Sequence, residues 1–316
     1  MRGTFIVFLL LSVTTLLKGS VIEVCSSCEV KTLSAAYGLT NPYDTLLVKE
    51  GVYKTVSFEI KKPLTIIGEG DAVLDGNMQN YILKILSDEV HVLNLRMINA
   101  GRSYTKDYAA IYISRSNHFS IIGNTIIDPF FGILIEKSHY GLIAENKVES
   151  DRTLEADAGN GVHAWHSSNL TIRENELSGL RDGIYLEFVD KSTISMNNSH
   201  NNIRYGLHFM FSNNDNYLDN TFKENGAGVA VMFSKFIQMK RNHFIQNWGT
   251  ASYGLLLKEI YDAEVEDNTF EKNSVGIFIE GCTRVNYLSN DFKRNGWAVK
   301  VSGGSYTNIF SKNNFL

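Results

Sequence analysis

The sequence lacks three things that would have placed it quickly. It has no surplus of positive charge: 30 Lys and Arg stand against 34 Asp and Glu, a formal net charge of −4. A nucleic-acid binder needs a basic stripe to neutralise phosphates, so that class is excluded as a partner. It has only three cysteines, too few for a disulfide framework. Cys25 and Cys28 form one CxxC and Cys282 stands alone; a single CxxC is compatible with a local disulfide, a free thiol pair or half of a metal site. After the first twenty residues it has no apolar run long enough to cross a membrane.

The beginning of the chain does carry one apolar run. Arg2, then Phe5 to Leu17, then the small pair Gly19-Ser20 follow the charge, hydrophobic and small-residue order of a secretory signal. Residues 1–20 are therefore read as a cleaved signal peptide, with the mature chain starting near Val21 and exported. The alternative is a membrane anchor, for which this run is shorter than the ~20 residues a spanning helix needs.

From there on a repeat dominates. Gly132, Gly161, Gly183, Gly206, Gly228, Gly254 and Gly276 each open a run of glycine followed by alternating apolar residues, at spacings of 29, 22, 23, 22, 26 and 22. Fourteen residues after each stands an asparagine: Asn146, Asn175, Asn197, Asn220, Asn242, Asn268 and Asn290. Within each unit the alternation has period two over four or five positions, which marks strands rather than helices. A unit of 22 residues with short strands cannot close a core alone, but it can stack on copies of itself. The fold class is all-β, a parallel β-helix over residues 21–316, with coils about 4.8 Å apart.

Stacked coils turn equivalent positions into columns. One and three residues after each glycine the columns are apolar (Leu207 and Phe209 in one coil), as are those three before and two after each asparagine, the last becoming Phe222, Phe244, Phe270, Phe292 and Phe315. These face inward. The asparagines are expected at the bends, where stacked amides satisfy one another. Val30 to Leu39 reads as an amphipathic cap, whereas the chain stops at "SKNNFL" in mid-coil; that edge is expected to be uncapped, through truncation or because a partner covers it.

The outward columns contain the candidate site. His208 and Met210 alternate with Leu207 and Phe209, and Met232 follows Met210 one coil later, so a nitrogen and two thioethers can lie within about 7 Å. That donor set selects Cu(I); the competing reading is ordinary packing of two methionines. With Trp165 and Tyr185, these residues make an outer face unusually apolar for solvent, a contact surface. Insertions of seven and four residues, around "DRTLEADAGN" and "NWGTASYG", fall on one edge and add Trp248. No catalytic residue is assigned: Glu136, Glu187 and Glu280 share a column without adjoining, while a glycosidase needs two carboxyls ~5–9.5 Å apart. Asp182 reads as a turn residue.

The strings "RDGIYLEF", "RYGLHFMFSNNDNYLDNTFKENGAGVAVMFSK", "NWGTASYGLLLKEI" and "RNGWAVK" resemble the NosD family, periplasmic accessory proteins for maturation of nitrous oxide reductase in denitrification. The resemblance implies a right-handed parallel β-helix in the periplasm. It also implies partners: the ATPase and permease of an ABC transporter, a copper chaperone lipoprotein and the reductase, whose copper-sulfide cluster is assembled. No tightly bound cofactor is expected, and Cu(I) only in passage. The family supplies no catalytic motif to carry over, so His208, Met210 and Met232 as metal ligands and Trp165, Tyr185 and Trp248 as partner contacts rest on the columns. The alternative function is a secreted carbohydrate-active enzyme, with Asp157 or Glu187 as the acids to test.

Overall fold

The structure, a computed structural model, describes residues 19–103 and 105–316; the signal segment expected over 1–20 lies almost entirely outside them. Among the described residues the strands form three parallel sheets of 13, 12 and 11 strands, wound as one β-solenoid. One coil shows the plan. Tyr205–Met210 lies in the 11-strand sheet, Asn216–Leu218 in the 13-strand sheet and Thr221–Lys223 in the 12-strand sheet. The chain then enters the next coil at Ala227–Met232, in register with the first: Leu207 pairs with Val229, His208 with Ala230 and Met210 with Met232.

The bends between strands are made by left-handed residues, in this coil Phe211, Asn214, Asp219 and Glu224, with φ of 51°, 59°, 57° and 53°. Left-handed backbone costs a residue other than glycine roughly 1–2 kcal/mol, so the bends need compensation. The asparagine ladder supplies part of it. Buried Asn220 receives no solvent, yet its backbone N–H and its Nδ2 both donate to Oδ1 of Asn242, each at 3.0 Å, and Nδ2 also donates to the carbonyl of Ile194 at 2.9 Å. The pattern repeats from Asn124 to Asn290. A second ladder runs five residues later through Asn202, Asn225, Asn247, Asn273 and Asn295.

Between the polar ladders the interior is apolar, with Leu207, Phe209, Tyr217 and Phe222 fully buried. Phe244, Phe270, Phe292 and Phe315 stack face to face with centroids 4.6, 5.0 and 5.0 Å apart. The repeating glycine stands where a side chain has no room: a Cβ on Gly206 would sit 2.8 Å from Phe222 Cδ1 and 2.9 Å from the carbonyl oxygen of Gly228. The cap expected over 30–39 is helix α1 (Leu33–Leu39), started by Thr32, whose hydroxyl accepts from the Ala35 N–H at 3.2 Å, and anchored by Leu33 and Ala36. In the last coil Val301, Phe310 and Phe315 are exposed. Among the described residues no helix is long and apolar enough to cross a membrane.

Candidate functional site

The outer face of the 11-strand sheet is where the molecule departs most from a bare solenoid. The outward column containing His208 is covered rather than open: Leu134, His208, Ala230 and Leu256 are 4%, 7%, 0% and 7% exposed. This corrects the expectation of a freely exposed face. The insertions contribute at the rim of this column, where they contact Arg204 and Tyr205, whereas Leu134 is covered by side chains outside them. Ala109, Phe131 and Leu134, packed with Tyr81, Tyr112 and Phe130, form a second, outer apolar cluster.

Two insertions converge from opposite ends of the trough. From the first, Glu155 reaches the Arg204 guanidinium at 3.1 Å. From the second, the Tyr253 hydroxyl donates to that of Tyr205 at 3.4 Å. Beneath this roof a column of rings runs along the axis. His163 lies 4.6 Å from Tyr185, and Tyr185 lies 5.0 Å from His208. Tyr205 closes the side at 4.8 Å from His208.

The polar atoms under the roof are poorly satisfied. Both ring nitrogens of His208, Oδ2 of Asp182, Nε of Arg181 and Oδ1 of Asn160 are buried without a hydrogen-bond partner among the described residues. Asp182 is not the solvated turn residue expected from its place before a glycine; it is fully buried, and only its Oδ1 is used, accepting from the Tyr205 N–H at 3.2 Å. Arg181 Nε approaches Oδ2 at 3.7 Å, too far for a hydrogen bond.

Burial sets the protonation states. It pushes the Asp182 carboxyl up to about 6, against the pull of Arg181 and Arg204. It lowers His208 to about 4, with Arg204 and Arg181 adding to the effect, and His163 to about 3. Both imidazoles are therefore neutral at pH 7 and can offer a lone pair to a cation.

The structure brings the predicted ligands only partly together. Met210 and Met232 are register partners, half-buried on the same face. His208 is two residues from Met210 on that face, but its ring is held between Tyr185 and Tyr205. Among the described residues no group of three His, Cys, Asp or Glu is placed to hold a metal, so a metal here would depend on the thioethers. Of the three contact aromatics, Tyr185 belongs to the roofed column, its hydroxyl 3.4 Å from Glu187. Trp165 lies farther along the face under Lys137, whose Nζ is 5.1 Å from the ring centroid. Trp248 stands on the second insertion, 63% exposed.

One feature was missed. His166, Phe188, Phe211 and Phe233 stack in an exposed ladder, with centroids 4.6, 5.0 and 5.2 Å apart, at left-handed bends. Three phenylalanines about 40% exposed flank a groove of ≈ 660 Å³ that Lys235, Lys258 and Tyr261 also line. The signal was present: these residues fall five positions after successive repeat glycines.

Comparison with known proteins gives the chain its relatives. Residues 144–316 match the family described as periplasmic copper-binding protein (NosD). The probable ABC transporter binding protein NosD of Pseudomonas aeruginosa is 30% identical over 129 residues, 40% of this chain and 30% of that protein. Its namesake from Stutzerimonas stutzeri is 25% identical over 128 residues, covering 40% and 29%. The matched stretch thus spans less than a third of either curated relative. Among solved structures, the A-module of a mannuronan C-5 epimerase from Azotobacter vinelandii has a TM-score of 0.65 at 13% identity, covering 87% of this chain and 91% of that one. The Streptococcus pneumoniae surface protein and adhesin PfbA has a TM-score of 0.62 at 12% identity, covering 89% and 91%. Likeness at such identities shows the parallel β-helix fold alone.

Proposed function

The chain belongs to the NosD family, and on that premise we propose that it is a periplasmic accessory protein for maturation of nitrous oxide reductase. In this reading it works with the ATPase and permease of an ABC transporter. It receives Cu(I) from a copper chaperone lipoprotein and holds it in passage toward the copper-sulfide cluster of the reductase. Copper is cargo here, and the protein adds no covalent step.

The observation that supports the copper part is the register pairing of two thioethers, Met210 and Met232, two residues along the strand from a neutral imidazole, His208, that has no hydrogen-bond partner on either ring nitrogen. Thioether and imidazole together favour Cu(I) over harder cations. Because His208 is held under Tyr205, loading requires its ring to turn out of the roofed column toward Met210. Trp165, Tyr185 and Trp248 are the contacts proposed for partners, with Trp248 the most accessible.

Cu(I) titration of the disulfide-bonded protein against a chromogenic chelator tests this. One Cu(I) per chain is expected, with His208→Ala or the double change Met210→Leu, Met232→Leu weakening it at least tenfold. Unchanged affinity in both variants would remove these ligands from the account. A second reading, a secreted carbohydrate-active enzyme, draws on the buried Asp182 beside Arg181. Turnover of an acidic polysaccharide that Asp182→Asn, Asp157→Asn or Glu187→Gln abolishes would put that reading first.

A further inference from the structure

We propose that Cys25 and Cys28 form a redox-gated Cu(I) site: as the disulfide they hold no metal, and as the dithiol they bind one Cu(I) between two thiolates. That copper is the ion met here rests on the function proposed above; the redox gate rests on the geometry of the loop. The pair lies outside residues 144–316, the part matched to the copper-binding family.

The two cysteines are joined with their Cα atoms 5.0 Å apart and stand only three positions apart in the chain. A disulfide stabilises chiefly by tying distant parts of the unfolded chain, and its effect grows with the loop it closes. This one closes only its own four-residue loop and links no coil to another. The loop has other ties. The Cys25 N–H donates to the Val30 carbonyl at 3.2 Å and the Cys28 N–H to the Cys25 carbonyl at 3.3 Å. Just before it, Val21–Val24 pairs with Thr45–Val48, and Val24 is fully buried. Just after it, Thr32 caps α1. Reduction therefore leaves both ends of the loop anchored and the solenoid intact.

Both cysteines are partly exposed, and Ser26 and Ser27 between them are exposed, so a reductant can reach the bond. Exposed disulfides are the labile ones. The Ser27 hydroxyl is 3.3 Å from Cys25 Sγ, placed to donate to a thiolate. The remaining cysteine does not interfere: Cys282 is buried, its thiol donating to the Leu257 carbonyl at 3.3 Å and pushed up to about 11 by burial. It is neither accessible nor ionised, and scrambling with it is blocked.

The chemistry balances with a dithiol reductant as the named co-reactant. One of its thiolates attacks a sulfur of the Cys25–Cys28 bond to give a mixed disulfide, and its second thiolate resolves it. Two electrons pass, the reductant leaves as a disulfide, and each cysteine gains a proton. Binding Cu(I) then displaces both protons without changing the oxidation state of the copper, and two thiolates are the softest donors the chain can offer. Reoxidation by a disulfide oxidant restores the bond and frees the ion.

The test compares the full chain in its reduced and oxidised forms by anaerobic Cu(I) titration against bicinchoninate, with the melting temperature of each form recorded. The reduced form should bind one Cu(I) more per chain than the oxidised form and melt within a few degrees of it. Cys25→Ser and Cys28→Ser should each lose the additional ion, while Met210→Leu with Met232→Leu should keep it. Equal stoichiometry in the two forms, or a reduced form that has lost its cooperative melting, would overturn the proposal. Failure of the His208 site is read separately, in the oxidised form alone.

Discussion

Two buried polar regions lie on this solenoid and are built in opposite ways. Along the asparagine ladder, Asn220 is fully buried and its N–H, Nδ2 and Oδ1 are all engaged, through Asn242, Ile194 and Asn197. On the outer face Asp182 is as deeply buried and His208 nearly so, yet Asp182 Oδ2 and both His208 nitrogens have no hydrogen-bond partner among the described residues. A satisfied ladder lowers the energy of the fold, whereas an orphaned buried polar atom costs it about 1–3 kcal/mol. The comparison separates architecture from site: one polar set holds coils together, and the other is retained at a cost to stability.

Breaking the ladder should have the largest effect. Asn220→Ala removes the bridge between Asn197 and Asn242 and leaves their buried amides short of partners, so a loss of about 3 kcal/mol is expected in urea unfolding. A loss below about 1 kcal/mol would mean that water replaces the amide and the ladder is not the brace described.

At the site the sign reverses. The Asp182 carboxyl is raised to about 6 from an ordinary 3.8, so its contribution is fully present below about pH 4 and is lost as pH rises to 6. Asp182→Asn keeps the acceptor used by Tyr205 and should stabilise the protein at pH 7 by as much as about 3 kcal/mol, with little gain at pH 4. His208 acts oppositely: lowered to about 4 from 6.5, it stabilises above pH 6.5 and loses that contribution as pH falls toward 4. His208→Phe should flatten that fall and, with no nitrogens to leave unpaired, leave stability at pH 7 unchanged or raised by about 1 kcal/mol. Destabilisation by either variant at pH 7 would show that the cluster is structural after all.

The roof should matter least to stability and most to access. Glu155→Gln removes a half-exposed ion pair worth at most about 1 kcal/mol. Combined with Tyr253→Phe it should speed modification of His208 by diethyl pyrocarbonate severalfold. An unchanged rate would mean that the insertions do not gate the site.

The fold was legible because period-two alternation and the interval of fourteen from glycine to asparagine are properties of single coils, and coils of equal length must stack. The inward direction of Leu207 and Phe209 followed from that alone. The roof was not legible, because an insertion of seven residues has no register of its own; where it lies depends on what it meets, here Arg204 for Glu155 and Tyr205 for Tyr253. Hence Asp182 looked like a turn residue and His208 like a surface one. The ladder of Phe188, Phe211 and Phe233 was in the same register as the glycines, at bend positions where an apolar ring is not expected. The second asparagine ladder was likewise present at a fixed interval of five from the first.

In the function proposed here, His208, Met210 and Met232 hold Cu(I) on the outer face of the 11-strand sheet. X-ray absorption at the copper edge, on the disulfide-bonded protein carrying one Cu(I), tests it most directly. One nitrogen and two sulfur scatterers are expected, with the sulfur shell lost when Met210 and Met232 are leucine. A first shell of nitrogen or oxygen only, or a sulfur shell that survives both substitutions, would contradict it.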